Sequence, residues 1–307
     1  MADRQLVRYR VPVHDSDRWR GFALRPGDIV ISTPAKCGTT WMQMICALLV
    51  LPDPVLQQPL SRLSPWLDYL GRARRDVVAD LEAQTHRRFI KTHTPLDGLP
   101  LDPTITYICV GRDPRDAALS MLGHQDNMDF AHFLADRADA AAIDGVEPGP
   151  VNQPPPTGSE RERFWRWVDN DAPPAEIGSS LRRMLHHIET FQEAAGIDVV
   201  MLHFEDLRRD LEGQMRGLAD RLAISVPESR WPEVVQAAGF EAMRSRAHMT
   251  APNAQLGHWL DTAHFFKRGT SGQWRDVLDD DDLERYRVRA GAIGSPGVID
   301  WLHGGPP

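Results

Sequence analysis

Four short stretches carry side chains whose types and spacing suit chemistry on an anionic group. In the first, IVISTPAKCGTTW at residues 29–41, a β-branched, apolar run enters a tight loop holding Lys36 and Gly38, and Thr39 and Thr40 open a helix. Such a corner gathers backbone N–H groups, two hydroxyls and the positive end of a helix dipole around one anion, with Lys36 as a point charge. The loop is shorter than Gly-x-x-x-x-Gly-Lys-Ser/Thr, and its lysine precedes the glycine. No apolar strand ending in a metal-holding Asp is evident, which disfavours a magnesium-dependent nucleotide triphosphatase. An ordinary strand–turn–helix corner is the alternative, but it has no need of this residue order.

The second stretch is Lys91-Thr92-His93, at the end of an apolar run. Alternate strand residues share a face, so Lys91 and His93 address one ligand, and a histidine titrating near neutrality is the best candidate base. Alone, His93 reads as a satisfied core histidine; beside Lys91 and an anion loop it reads as a base. The third pairs Arg112, at a strand end, with Ser120 two helical turns on: a planar fork and a hydroxyl suited to phosphate. Arg115 nearby reads as solvated helix surface. The fourth, Lys267-Arg268-Gly269, offers two cations and a backbone amide beside a glycine that permits close approach.

The elements that must position these residues alternate between strand and helix. Strand-like segments fall at Asp28–Thr33, Arg88–Thr92, Ile105–Arg112 and Val199–Phe204, with helical patterns between them, including an apolar helix at Thr39–Leu51. This is an α/β chain with a parallel sheet flanked by helices. Leu181, Met184, Leu185, Ile188 and Phe191 keep helical spacing, which makes His186 and His187 solvent-facing passengers. Val146–Ser159, rich in Pro and Gly, reads as a mobile surface loop. Residues 1–307 are expected to form one domain, with a helical and loop insertion at about 121–197 shaping an acceptor site.

Composition narrows the function. Of 35 Lys and Arg residues only three are lysines, Lys36, Lys91 and Lys267, and all three fall in the stretches above. A net charge of −8 leaves no basic footprint for nucleic acid. The longest apolar run, Met44–Leu51, is too short to span a membrane, and the N-terminus lacks a secretory apolar region, so the cytoplasm is the expected location. Cys37, Cys46 and Cys109 show no metal spacing; they are expected to be reduced thiols, two of them buried, and no metal is expected.

The segment Lys36-Cys37-Gly38-Thr39-Thr40-Trp41 resembles the 5′-phosphosulfate loop of the cytosolic-type sulfotransferases, which use 3′-phosphoadenosine 5′-phosphosulfate (PAPS). RFIKTHTPLD (88–97), YICVGRDPRDAALSM (107–121), MLHFEDLRRD (201–210) and FFKRGTSGQW (265–274) resemble further segments of that family, in the same order. The resemblance runs from about residue 20 to 290 and is strongest to actinobacterial members acting on glycolipids. It implies the P-loop-NTPase-like sulfotransferase fold and sulfuryl transfer to a hydroxyl acceptor, a glycolipid, lipid or aromatic alcohol. By resemblance His93 is the base, while Lys36 and Lys91 stabilise the sulfuryl group and the leaving phosphate. Arg112, Ser120 and Lys267-Arg268-Gly269 then hold the 3′-phosphate, and Trp41, Phe204 and Phe240 flank the adenine, although each aromatic alone reads as core. Trp66, Phe130, Phe133, Phe164, Trp165 and Trp167 are available as apolar walls for the acceptor.

Three departures stand out. Cys37 replaces the usual Ser and brings an oxidisable thiol, and Phe204 replaces a frequent Tyr. Residues 275–284 lack the family's dimer motif; Asp279–Asp282 reads instead as a helix N-cap and acidic first turn. Two other readings remain open: a catalytically silent nucleotide-binding protein on the same fold, and an ATP- or GTP-using kinase.

Overall fold

The computed structural model describes residues 5–149, 151, 157–267 and 269–304. Four parallel strands, β1 (Ile29–Ser32), β2 (Phe89–Thr92), β3 (Thr106–Gly111) and β4 (Asp198–His203), lie in the order β2-β1-β3-β4. Each falls within two residues of its sequence expectation. β1, β2 and β3 are buried throughout, as strands covered on both faces must be.

Register decides which residues meet. Ser32 pairs with Thr92, and Gly111 pairs with His203. The residues that follow, Thr33 with His93 and Arg112 with Phe204, therefore leave the sheet side by side at its carboxyl edge, where α/β sheets bind ligands. The strands' two-residue period divides the core: Val30, Ile90, Tyr107 and Cys109 pack on one face, with Phe164, Leu181, Ile188 and Trp301. Ile29, Ile31, Ile108 and Val110 pack on the other, with Met42 and Ile45 of helix α1 (Thr39–Val50). Helices Pro114–Asp126, Phe130–Asp144, Glu160–Val168 and Leu181–Gln192 occupy the interval between β3 and β4.

Several expectations need correction. His187 is buried, its Nε2 lies 3.0 Å from the Ser32 hydroxyl, and its ring stacks on Phe191. His186 contacts the Tyr9 hydroxyl at 2.8 Å and Asp97 at 3.1 Å. Neither is a solvent-facing passenger, because the 181–192 helix is wedged between the sheet end and the N-terminal segment and has contacts on more than its apolar stripe. All three cysteines are buried, not two. Most of the 146–159 loop's central residues lie outside the described ones; at its end, Ser159 and Glu162 form a capping box for the 160–168 helix. Asp279 and Asp282 form a second capping box, and Arg161 lies 2.9 Å from each carboxylate. Among the described residues, no helix is long and apolar enough to cross a membrane.

The amino ends of β1 and β2 are clamped by one buried ion pair. Arg88 Nε donates to Asp28 Oδ1 at 2.8 Å, and its Nη2 donates to Oδ2. Both side chains are almost wholly excluded from water. Removing one charge strands the other, so Asp28→Asn should lower the unfolding free energy by about 3–5 kcal/mol, measured by urea denaturation. A loss under about 1 kcal/mol would mean that water reaches Arg88.

Candidate active site

The loop between β1 and α1 is shaped by two left-handed residues, Lys36 at φ 69° and Gly38 at φ 99°. A Cβ on Gly38 would stand 3.1 Å from the Phe204 ring, so both conformation and space call for glycine. α1 begins without a side-chain cap and without an acidic residue in its first turn, leaving its N–H groups and dipole for an anion. Thr40 sits in that turn, while the Thr39 hydroxyl pairs with that of Thr33. Cys37 faces the core, and burial pushes its thiol up to about 12; the expected oxidisable thiol is protonated and enclosed.

Arg112 ties the loop to its surroundings. Its Nη1 donates to the Lys36 carbonyl at 3.0 Å and its Nη2 to the Thr270 carbonyl at 3.1 Å, and the guanidinium lies 4.4 Å over the Phe204 ring. The group is buried, yet Nε has no acceptor among the described residues. A buried cationic donor without an acceptor suits a phosphate oxygen.

Lys91 and His93 both rest against Trp66. The Lys91 ammonium lies 4.2 Å over its ring, and His93 meets it edge-on at 4.9 Å between ring centroids. His93 Nδ1 is 2.8 Å from the Thr33 carbonyl. A carbonyl only accepts, so Nδ1 must carry the proton and Nε2 keeps a lone pair. The His93 carbonyl accepts from Arg183 Nη2 at 3.0 Å, and the buried Arg183 lies 4.8 Å over the Tyr9 ring. Sequence reasoning misses Arg183 because nothing in a helical pattern marks an arginine that folds back on a strand end.

The electrostatics differ from the expected base titrating near neutrality. Burial first, then the charges of Lys91, Arg183 and Lys36, hold His93 down at about 3, so its ring is neutral at pH 7. Burial also lowers Lys91 to about 7 against the pull of Asp68, and lowers Lys36 to about 7 with help from Arg112 and Lys91. The Lys36 ammonium lies 4.5 Å over Phe265.

Across the cleft, Ser120 is half-buried on the 114–126 helix, and Lys267 lays its ammonium across Gly123, one turn further on. Gly269, at φ 62°, packs so closely on Phe240 that a Cβ would stand 2.4 Å from the ring. Arg268 lies outside the described residues. Asp116 accepts from the N–H groups of Gly272 and Gln273 at 2.8 and 2.9 Å, which anchors this segment; the sequence motif gives Asp116 no such role. Trp41 donates to the Ala238 carbonyl at 2.9 Å and meets Phe204 edge-on. Phe240 packs against Phe266 and Gly269.

Arg115 is not solvated surface. It donates to Asp113 at 3.0 and 2.6 Å and lies 3.9 Å over Trp274. Of the six aromatic wall candidates, Trp66 borders Lys91 and His93, and Trp167 lines the cleft at His93 with Ser180, Arg183 and His187. Phe133, Phe164 and Trp165 are buried in the core, because the helices carrying them turn those faces inward; Phe130 is half-buried against Phe133.

The two lowered lysines fix a pH dependence. An amine at about 7 in the folded protein and 10.5 in the unfolded chain is the more protonated when unfolded, so stability should rise with pH across that interval. Above 9 the buried Cys37 and Cys46 thiols, raised to about 12, act in the opposite sense. The Tm of the protein alone should therefore climb between pH 7 and 9, and less so in Lys36→Met and Lys91→Met. A flat wild-type profile would contradict the lowered amines.

Comparison with known proteins follows the same lines. The family model described as "Sulfotransferase domain" matches residues 26–290. A glycolipid sulfotransferase of Mycobacterium bovis is 41% identical, with 99% of this chain and 96% of that protein aligned. Two solved structures share the fold. A mouse sulfotransferase complexed with PAP has a TM-score of 0.65 at 17% identity, over 94% of this chain and 91% of that one. A retinol dehydratase complexed with retinol and PAP has a TM-score of 0.67 at 20% identity, over 90% and 84%. With the family model spanning most of its length and a near full-length relative at this identity, the chain belongs to the sulfotransferase family of enzymes.

Proposed function

We propose that this enzyme transfers a sulfuryl group from PAPS to the hydroxyl of an acceptor, with His93 as general base. One observation carries the reading: His93 keeps a free Nε2 lone pair because Thr33 holds its other nitrogen, and it stands among cations that have no carboxylate within ion-pair distance among the described residues. Bound PAPS would supply a sulfuryl group on a phosphate leaving group. The cleft suits such a donor through the uncapped start of α1, the unpaired lysines and the orphaned Arg112 Nε.

In this reading Lys36, Gly38, Thr39 and Thr40 hold the 5′-phosphosulfate, with Cys37 contributing backbone only. Arg112, Ser120, Lys267, Arg268 and Gly269 hold the 3′-phosphate, and Trp41, Phe204 and Phe240 flank the adenine. His93 Nε2 removes the acceptor's hydroxyl proton, and the Nδ1–H bond to Thr33 holds the ring while it does so. Lys91 and Lys36 offset negative charge developing between donor and acceptor. An anion among these cations opposes the charges that depress His93, which raises its basicity when the donor is present.

A glycolipid is the first acceptor to try, supported by the name of the Mycobacterium bovis relative. Trp167, Ser179, Ser180, Arg183 and His187, all from residues 121–197 or that interval's closing helix, border the cleft at His93. That supports reading residues 1–307 as one domain with an acceptor-shaping insertion. A cytoplasmic location belongs to the same proposal.

Incubation with PAPS and a panel of glycolipids, sterols and phenols should yield sulfated product and 3′,5′-bisphosphoadenosine, undiminished by EDTA. His93→Ala should lose turnover by about 10²-fold or more while still binding bisphosphoadenosine. Binding retained with no turnover of any acceptor by the wild type would favour a silent nucleotide-binding protein instead. Lys36→Arg and Lys91→Arg should reduce turnover severely, because a broad fork cannot replace a compact ammonium at one bridging oxygen, whereas Lys267→Arg should mainly weaken donor binding. Full activity in all three would refute these lysine roles.

A further inference from the structure

Two imidazoles and a carboxylate converge outside the sulfuryl-transfer cleft, where the Phe130–Asp144 helix meets residues 257–261. His132 and Asp136 stand one turn apart on that helix, the spacing that lets two side chains grip one ion. His258 comes from the facing segment. Their candidate ligand atoms all lie within 4.8 Å of one another. His258 Nε2 is 2.8 Å from one Asp136 oxygen, and His132 Nε2 is 3.9 Å from the other.

Backbone contacts hold the two segments in register. Asp129 N–H donates to the His258 carbonyl at 2.9 Å, and Leu260 N–H donates to the Asn127 carbonyl at 2.9 Å. The Asn127 amide closes the join, donating to the Asp261 carbonyl and accepting from its N–H. Gly257, at φ 71°, leaves the space that the His132 ring fills, since a Cβ there would stand 3.3 Å from Cε1. The buried Tyr69 hydroxyl lies 2.7 Å from His258 Nδ1. A plain hydrogen bond explains His258 with Asp136, but it leaves no reason for His132 to be held beside them.

We propose that His132, Asp136 and His258 form a site for a divalent transition-metal ion of the zinc class. Two neutral imidazole nitrogens and a carboxylate oxygen are a donor set that zinc accepts, at bond lengths of about 2.0–2.2 Å. The ligand atoms then stand about 3.3 Å apart, between the closest and widest separations seen here, so side-chain adjustment alone closes the site. His258 binds through Nε2 and turns its Nδ1–H to the Tyr69 oxygen, which orients the ring. Exposed His132 gives the ion its entry path, and water completes the coordination. The bound ion would fasten the 130–144 helix to the segment carrying Trp259, whose ring packs on Phe265 beneath the Lys36 ammonium. This site takes no part in the proposed sulfuryl transfer and stands independently of it.

The test uses the full-length protein, stripped with a chelator, dialysed, and titrated with zinc chloride by calorimetry. One equivalent should bind, and Tm should rise with zinc concentration. Loss of an outer partner alone typically weakens a metal site 10- to 100-fold. His132→Ala and Asp136→Asn, which remove ligands, should therefore weaken binding by about 100-fold or more. His132 is exposed, so His132→Ala should leave the circular dichroism spectrum and bisphosphoadenosine binding unchanged; should Asp136→Asn fail to fold, His132→Ala decides alone. No stoichiometric binding by the wild type, or equal affinity in His132→Ala, would overturn the proposal.

Discussion

Lys36, Lys91, Arg112 and Arg183 crowd the carboxyl edge of the sheet, and among the described residues none of them has a carboxylate within ion-pair distance. Withdrawing a cation from water without a counter-charge is expensive, and the two residue types meet that expense differently. A guanidinium cannot shed its proton, so Arg112 and Arg183 are wrapped in carbonyls and aromatic faces. An ammonium can, and Lys36 and Lys91 both fall to about 7. The scarcity of lysine acquires a physical sense here. Arginine serves where charge is permanent, and two of the three lysines stand where charge can be recovered when an anion arrives.

That arrangement rests on strand register. Thr33 reaches His93 only because Ser32 pairs with Thr92, and Arg112 reaches Phe204 only because Gly111 pairs with His203. A slip of one residue would turn every side chain on the strand to the other face and break the Nδ1–H bond that leaves Nε2 free. The Asp28–Arg88 clamp at the opposite edge opposes such a slip between β1 and β2.

The strands, α1 and the parallel sheet were legible because they depend on local signals: short apolar runs and a glycine-containing corner. The loop, Lys91, His93 and Arg112 were legible because motif residues sit at strand ends. What escaped depends on distant partners. The protonation of His93 hangs on a carbonyl 60 residues away, and Asp116 anchors amides more than 150 residues away. Arg115 looked solvated until Trp274 covered it. His186 and His187 follow the same logic: helical period assigns a residue to a face, but it does not say whether that face meets water or the end of a sheet.

The segment from His258 to Gln273 links these separate arrangements. Its far end is held by Asp116 and Arg112, and its near end by Asn127 and Asp136. Between those anchors it carries Phe265 under the Lys36 ammonium and Lys267 across Gly123. Its anchors lie on or beside the two consecutive helices after β3, so any shift of the 114–126 helix must move Lys267 and the Phe265 cover over Lys36 together. A cleft built from unpaired cations needs that coupling. Each cation must meet its share of one polyanionic ligand at once, because a partial match would leave the remainder buried and unpaired.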